Sequence, residues 1–315
     1  MRVSAIFPPD SDGSSWNEGR GAAVDGVSRS PLAFPGHRPT MRQYAFTVLF
    51  ALAACATAST PPGPSMPAVE APSLSPAQRA AAFDLGAPPP EALGPELRLW
   101  ATRYHTPAFR PAPPDDADTW PLVGATGEAI SPPLRRQDWC AAALQGSLTL
   151  KGPNGRETAY AYVDADGPEQ ADCDDKLGTL PDGVKRATRR ARFRIVRHAA
   201  GCGVRQIPLA PFRTIAVDPD VIPLESLVYV PELRGRPFTL DGHTYLHDGY
   251  LFAGDRGGAI HGRHIDIFTA DGRSQPLSGL ISSSPSRTFG AYIVDPNAAG
   301  APAALRAQQD SICTG

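Results

Sequence analysis

Ala253-Gly254-Asp255-Arg256-Gly257-Gly258-Ala259-Ile260-His261-Gly262-Arg263-His264-Ile265-Asp266-Ile267-Phe268 sets two carboxylates eleven residues apart around a glycine-rich turn. Asp266 stands between Ile265 and Ile267 in an alternating run that predicts a β-strand, so its side chain points to the face opposite its apolar neighbours. Asp255 ends the preceding apolar run, Tyr250 to Ala253, and Gly257-Gly258 supplies the permissive backbone of a tight reversal. The two acids are therefore expected to converge on one cleft.

A third aspartate lies upstream in Ile215-Ala216-Val217-Asp218-Pro219-Asp220-Val221-Ile222-Pro223-Leu224, followed by the strand pattern Leu227 to Val230. Taken together, VDP-x-VIPL and D-x-GGAI-x-G-x-x-IDIF resemble the three-aspartate (3D) domain, and the same segments occur in the catalytic barrel of the membrane-bound lytic murein transglycosylase A family. The resemblance covers roughly residues 212 to 270. Trp100-Ala101-Thr102-Arg103-Tyr104-His105-Thr106-Pro107 is similar to the first barrel strand of these families, and Arg136 to Ser147 carries a further, less diagnostic likeness.

The resemblance implies a mainly β chain built on a double-psi β-barrel with short helices and an inserted or elaborated β region. It further implies cleavage of the MurNAc-GlcNAc β-1,4 bond of peptidoglycan to a 1,6-anhydromuramoyl product. Asp266 takes the position of the catalytic acid/base and Asp255 that of the second acid. Asp218 matches the third aspartate, although Asp-Pro pairs commonly cap turns and a structural role is at least as well supported. Gly257 and Gly258 offer backbone N–H groups to sugar or to an aspartate, and Tyr104 is a candidate groove residue for a sugar ring. Arg256, His261 and the Glu225-Ser226 pair depart from the usual pattern, which touches specificity more than fold. The alternative is a non-catalytic 3D-domain lipoprotein that binds peptidoglycan or scaffolds the envelope, since fold alone does not fix function.

Residues 1–40 show no helical or strand periodicity, and Met41-Arg42-Gln43 then opens into the apolar run Tyr44 to Ala54. Residues 41–54 read as a lipoprotein signal peptide, with translation expected to begin at Met41, and Leu52-Ala53-Ala54-Cys55 has the form of a lipobox. The run is too short for the ~20 residues that span a bilayer. Lipidation at Cys55 would anchor the chain, and no aspartate follows it, so the expected location is the outer membrane facing the periplasm.

Removing 54 residues from 315 leaves 261, enough for one sizeable domain. Residues 55–95 read as a Pro/Ala-rich tether with a short helix over Ser75 to Phe83, residues 96–300 as the barrel domain with its insertion, and 301–315 as a tail. The formal net charge of −2 gives no electrostatic reason to expect nucleic acid. The expected partners are peptidoglycan glycan strands and, through the lipid, a membrane. Cys140, Cys173, Cys202 and Cys313 remain after Cys55, an even number that favours two disulfides with the pairing open. No metal or other cofactor is expected: the cysteines lack CxxC spacing, and His243, His247, His261 and His264 make no helical HExxH pair.

Within the inserted region, Arg135 to Leu144 suits a helix that carries Trp139 and Cys140 inward and stops at Gly146. Ser147 to Leu150 and Thr158 to Val163 suit a hairpin, and Asp164 to Pro181 a surface loop. Seven basic residues lie between Lys185 and Arg197. They read either as a groove for substrate carboxylates or as the solvated face of an edge strand, with Arg192 and Arg194 alternating against Phe193 and Ile195. The second reading is preferred.

Overall fold

The computed structural model describes residues 82–177, 180–269, 277 and 279–297, together with Leu305 and Cys313. Residues 1–40, the signal peptide, Cys55, most of the tether with most of its expected helix, and most of the tail lie outside the described residues.

The strands run in chain order as β1 (Leu93–His105), β2 (Ala108–Phe109), β3 (Thr119–Trp120), β4 (Leu134–Arg135), β5 (Ser147–Lys151), β6 (Glu157–Asp164), β7 (Arg192–Val196), β8 (Thr214–Ala216), β9 (Leu227–Tyr229), β10 (Pro237–Leu240), β11 (His243–Leu246), β12 (Tyr250–Asp255), β13 (His264–Thr269) and β14 (Phe289–Val294). Two helices of eight residues or more, α1 (Arg136–Gln145) and α2 (Asp182–Arg189), fall between β4 and β7, and a single helical turn at Asp174–Leu177 lies between them, within the stretch expected as a surface loop. The described chain is mainly β, as the sequence predicts.

A closed barrel forms in the order β1-β13-β8-β12-β9-β14. Closure leaves these strands no free edge. Pairs β1/β13 and β8/β12 are parallel and the other barrel pairs antiparallel, a mixture that sets it apart from an up-and-down barrel. Every barrel strand sends side chains to one core, among them Leu99, Ala101, Ile215, Val228, Leu251, Ile265, Ile267, Phe289 and Ala291, so these alternate positions point inward. Each large aliphatic or aromatic residue so buried contributes about 1.5–3 kcal/mol.

Between β1 and β8 the chain builds a second sheet in the order β2-β5-β6-β7. One face of it packs with α1 and α2 around Trp139, Leu144, Leu148, Tyr160, Val184 and Phe193. Helix α1 ends where Gly146 adopts the left-handed conformation (φ 74°) and its N–H caps Ala142 O at 3.0 Å. Disulfides join Cys140 to Cys173 and Cys202 to Cys313. The second ties the buried Cys313, in what the sequence suggested was a tail, to the segment before β8.

The basic run is corrected by the structure. Its first part is helix α2, which starts after Pro181 with Asp182 in the first turn and buries Val184, Ala187 and Thr188. Only Arg192–Val196 is an edge strand, and Ile195 is exposed while Phe193 is buried. The acidic loop answers the basic residues: Arg189 pairs with Glu169, Asp172 and Asp174, and Arg192 with Asp164.

A feature the sequence did not signal fixes the approach to β1. Arg213 and Asp248, both essentially without solvent exposure, form a bidentate pair at 2.5 and 2.7 Å. Asp248 also accepts from the Leu85 N–H, and the Arg213 guanidinium lies 3.9 Å over the Phe83 ring, so the segment entering β1 is held against the strand pair β8/β12. Beside them, His247 donates from Nε2 to Phe212 O and accepts at Nδ1 from the Gly249 N–H, and burial drives its pKa down to about 4. Among the described residues no helix is long and apolar enough to cross a membrane.

Candidate active site

The barrel register places four residues in one row. Thr102 on β1 pairs with Asp266 on β13, Asp266 with Ala216 on β8, and Ala216 with Asp255 on β12. Residues directly opposed across strands share a face, so both carboxyl groups leave the barrel on its outer side, two strands and about 9–10 Å apart at Cα. Asp266 reaches that face by simple alternation with Ile265 and Ile267, which point inward. Asp255 does not. Counted from the inward Ala253 it would also point inward, but the register of β12 against β8 slips between Phe252 and Asp255. This bulge rotates Asp255 outward. Gly254 sits in it, where an added Cβ would lie 3.1 Å from the Phe252 ring and 3.2 Å from Thr214 Cγ2.

Asp255 is 2% exposed, accepts from Tyr104 Oη at Oδ2 (3.0 Å) and from the Arg256 N–H at Oδ1 (2.9 Å). Burial raises its pKa to about 7, against the pull of these donors and of the Arg256 charge. Tyr104 is fully buried, which corrects the expectation of a groove-facing ring. Burial first, and then the charge of Asp255, push its pKa well above the usual phenol value, so it remains a donor.

Asp266 has no solvent exposure. Thr102 Oγ1 lies 2.7 Å from Asp266 Oδ1 and 2.7 Å from His264 Nε2. His264 is buried and stacks on Trp100 at 3.6 Å with 6° between planes, and burial lowers its pKa to about 4, so the ring is neutral at physiological pH. A hydroxyl has one proton to give and lone pairs to receive. With Asp266 ionised, Thr102 donates to it and accepts from Nε2–H. With Asp266 protonated, the chain runs the other way and Thr102 donates to Nε2.

Asp218 stands apart from the row. Its carboxylate accepts from the Gly262 N–H (2.6 Å) and the Asp220 N–H (3.1 Å), and its carbonyl from Val221 and Ile222, so it pins the loop between β12 and β13 to the loop after β8. In that loop Gly257 O accepts from the Ile260 N–H, and the left-handed position is Gly262 (φ 61°) rather than Gly257 or Gly258. Ala259 packs against the core of the inserted sheet. Thr102, Trp100 and His264 were missed by sequence reading. The signal was period two: Thr102 and Tyr104 share a face of β1, as His264 and Asp266 do of β13.

A cleft of about 540 Å³ opens beside Asp255, walled by Gln145, Ser147 and Tyr162 from the inserted sheet region, by Arg194, by Gly203 to Gln206, and by Arg256. Gly203 lies so close to Asp255 that an added Cβ would stand 3.1 Å from its carboxyl carbon. Asp266 is not among the walls. The arrangement holds a carboxyl that titrates near neutrality at the edge of a groove, with a second one on the same rigid face.

Comparisons with known proteins bear on this site. In structure the chain is similar, with a TM-score of 0.43 and 18% identity over 64% of it and 76% of the other chain, to a membrane-bound lytic murein transglycosylase from Agrobacterium tumefaciens. It is similar to E. coli MltA with bound chitohexaose at a TM-score of 0.40, with 16% identity over 62% and 71%. For the lytic transglycosylase LtgG of Burkholderia pseudomallei the values are 0.33, 19%, 64% and 73%. No curated protein matches the chain in sequence. Residues 213–283 match the family model of the 3D domain, a span that takes in Asp218, Asp255, Asp266 and four of the barrel strands. The chain therefore carries a 3D domain at residues 213–283.

Proposed function

We propose that the protein is a peptidoglycan lytic transglycosylase, with Asp266 as general acid/base and Asp255 as the group that orients it and supplies charge beside it. The observation that carries the reading is the row of two buried carboxyl groups on one outer face of the barrel, two strands apart, with Asp255 bordering a groove and titrating near pH 7. Hydrolysis of a glycoside takes two carboxyl groups and a water. Transglycosylation needs fewer parts. The acid gives its proton to the bridging oxygen as the C1–O4 bond of MurNAc breaks. The resulting carboxylate takes the proton of the C6 hydroxyl as that oxygen closes on C1, so the product is a 1,6-anhydro sugar, no water is consumed, and the carboxyl is restored.

A second reading exchanges the two roles, and one observation favours it: Asp255, not Asp266, borders the cleft. The anchoring inferred at Cys55 would place the reaction at the periplasmic face of the outer membrane.

The test is mass spectrometry of peptidoglycan incubated with the purified protein, with Asp266→Asn and with Asp255→Asn. Anhydromuropeptides from the wild type, lost by several orders of magnitude in Asp266→Asn and by less in Asp255→Asn, are expected. The reverse ranking would exchange the roles. Reducing-end products without anhydro sugar would mean a hydrolase, and cosedimentation with the sacculus without release would mean a binding protein.

A further inference from the structure

The cleft beside Asp255 is electropositive. Its walls carry the guanidinium groups of Arg194, Arg205 and Arg256 against the single carboxyl of Asp255, which burial keeps protonated up to about pH 7. Arg205 has a carboxylate of its own, Glu225, at 2.5 Å. Among the described residues neither Arg194 nor Arg256 forms an ion pair. Arg194 donates instead to the neutral amide oxygen of Gln206 at 2.9 Å, and its half-buried position lowers its pKa by desolvation.

This contrasts with the rest of the basic run. Arg189 and Arg192, a few residues earlier, are matched to the acidic loop, whereas Arg194 lies on the other side of that clustering and faces the cleft. A guanidinium withdrawn from water without an anion is unfavourable, and its planar fork fits a carboxylate through two parallel N–H···O bonds. Gln145 and Ser147 add polar groups to the same walls.

We propose that Arg194, assisted by Arg256, forms a carboxylate-binding site in this cleft, and that its ligand is an acidic glycan strand. The carboxylate comes either from the lactyl ether of a muramic acid sugar or from a peptide attached to it. The proposal rests on the reading of the cleft as a glycan site given above, and it makes the protein a reader of acidic glycan over neutral glycan of the same length.

Binding is measured by calorimetry on the full chain carrying Asp266→Asn, so that turnover does not enter. Three ligands of equal length are compared: a neutral chitooligosaccharide, a peptide-free strand with free lactyl carboxylates, and a strand bearing stem peptides. At least one acidic strand is expected to bind on the order of tenfold to hundredfold more tightly than the neutral one, as a hydrogen-bonded charge pair provides. Arg194→Gln removes that difference between acidic and neutral strands, while Arg194→Lys, which keeps the charge and loses the fork, retains part of it. A preference shown by the peptide-free strand assigns the lactyl group, and one confined to the peptide-bearing strand assigns the peptide. Equal affinity for all three ligands, or a preference that survives Arg194→Gln, overturns the site. If the preference holds but the wild type releases no anhydro sugar, the catalytic reading alone falls; if no glycan binds, both do.

Discussion

Thr102→Val is the substitution that most directly probes the proposed chemistry. It replaces the hydroxyl that bridges Asp266 Oδ1 and His264 Nε2, at 2.7 Å to each, by a methyl group of nearly the same volume in a site with 2% exposure. Packing is conserved, so the change isolates the hydrogen bonds. A hydrogen bond to a charged group contributes about 1.5–3 kcal/mol, and each 1.4 kcal/mol is tenfold in rate, so turnover should fall roughly 10- to 150-fold. The ionised form of Asp266 loses its Thr102 donor, so the limb of the pH–rate profile that reports this group should move to higher pH. Release of anhydro sugar is followed from pH 5 to 9 for wild type, Thr102→Val and Thr102→Ser, with urea unfolding in parallel. Thr102→Ser keeps the hydroxyl, loses one methyl group at a cost of about 1 kcal/mol of stability, and should run near the wild-type rate. Equal rates and profiles for the two variants would refute the assignment of Thr102 as the group that holds Asp266.

Tyr104→Phe removes a donor to Asp255 that works against burial, so the carboxyl pKa should rise further above about 7, read as a shift of its carbon resonance in an NMR titration. Asp248→Asn leaves Arg213 buried with its charge uncompensated and should cost about 3–5 kcal/mol, seen as a lowered urea midpoint with unchanged slope. Stability should peak near pH 6.5. Between about pH 4 and 6.5, unfolding lets His247 and His264 take up two protons while Asp255 releases one, so stability falls by about 1.4 kcal/mol per pH unit on acidification. From there to about pH 7 only Asp255 differs, and stability falls as pH rises, a limb that Asp255→Asn should abolish in urea titrations.

How much of this was legible in the sequence differs from residue to residue. Asp266 was placed by I-D-I-F alone, because a two-residue period leaves one choice of face once the isoleucines are inside. The Gly257-Gly258 turn predicted that both acids converge on one cleft, but only Asp255 borders it; what Asp255 shares with Asp266 is an outer face of the barrel. The structure reaches it through the bulge at Gly254, which a sequence signals only as one more glycine. Tyr104 was read as groove-facing from its polar neighbours, yet whether an outward side chain meets water depends on what covers it. Leu209, Ile260 and Phe268, from three separate segments, cover Tyr104. Helix α2 had readable signals in Pro181, Asp182 and the spacing of Val184, Ala187 and Thr188, and the arginines around it drew attention away. The Arg213–Asp248 pair left none: two charges 35 residues apart look solvated until a fold closes around them.

The partners of the two carboxyl groups also bear on which of them cycles in the proposed reaction. A general acid that becomes a base within one turnover must be accommodated in both protonation states. The Arg256 N–H at Asp255 Oδ1 can only donate, so placing a proton on that oxygen forfeits a bond, and Tyr104, held protonated, offers its hydrogen to Oδ2. These partners favour one state, the anion, and burial opposes them. The Thr102 hydroxyl at Asp266 can face either way, because neutral His264 can give a proton at Nε2 or accept one there according to its tautomer. Reversing that chain costs a hydroxyl rotation and a tautomer change; no bond of Asp266 is lost, while the bond of the ring to the Ala259 backbone is made only in the Nδ1–H tautomer. The surroundings of Asp266 suit a group that changes state within one turnover, whereas Asp255 forfeits a bond whenever it carries the proton that burial favours below about pH 7. The same logic predicts that His264→Phe, which leaves the stack on Trp100 but ends the chain at Thr102, fixes the hydroxyl toward Asp266 and slows the step in which Asp266 must carry the proton.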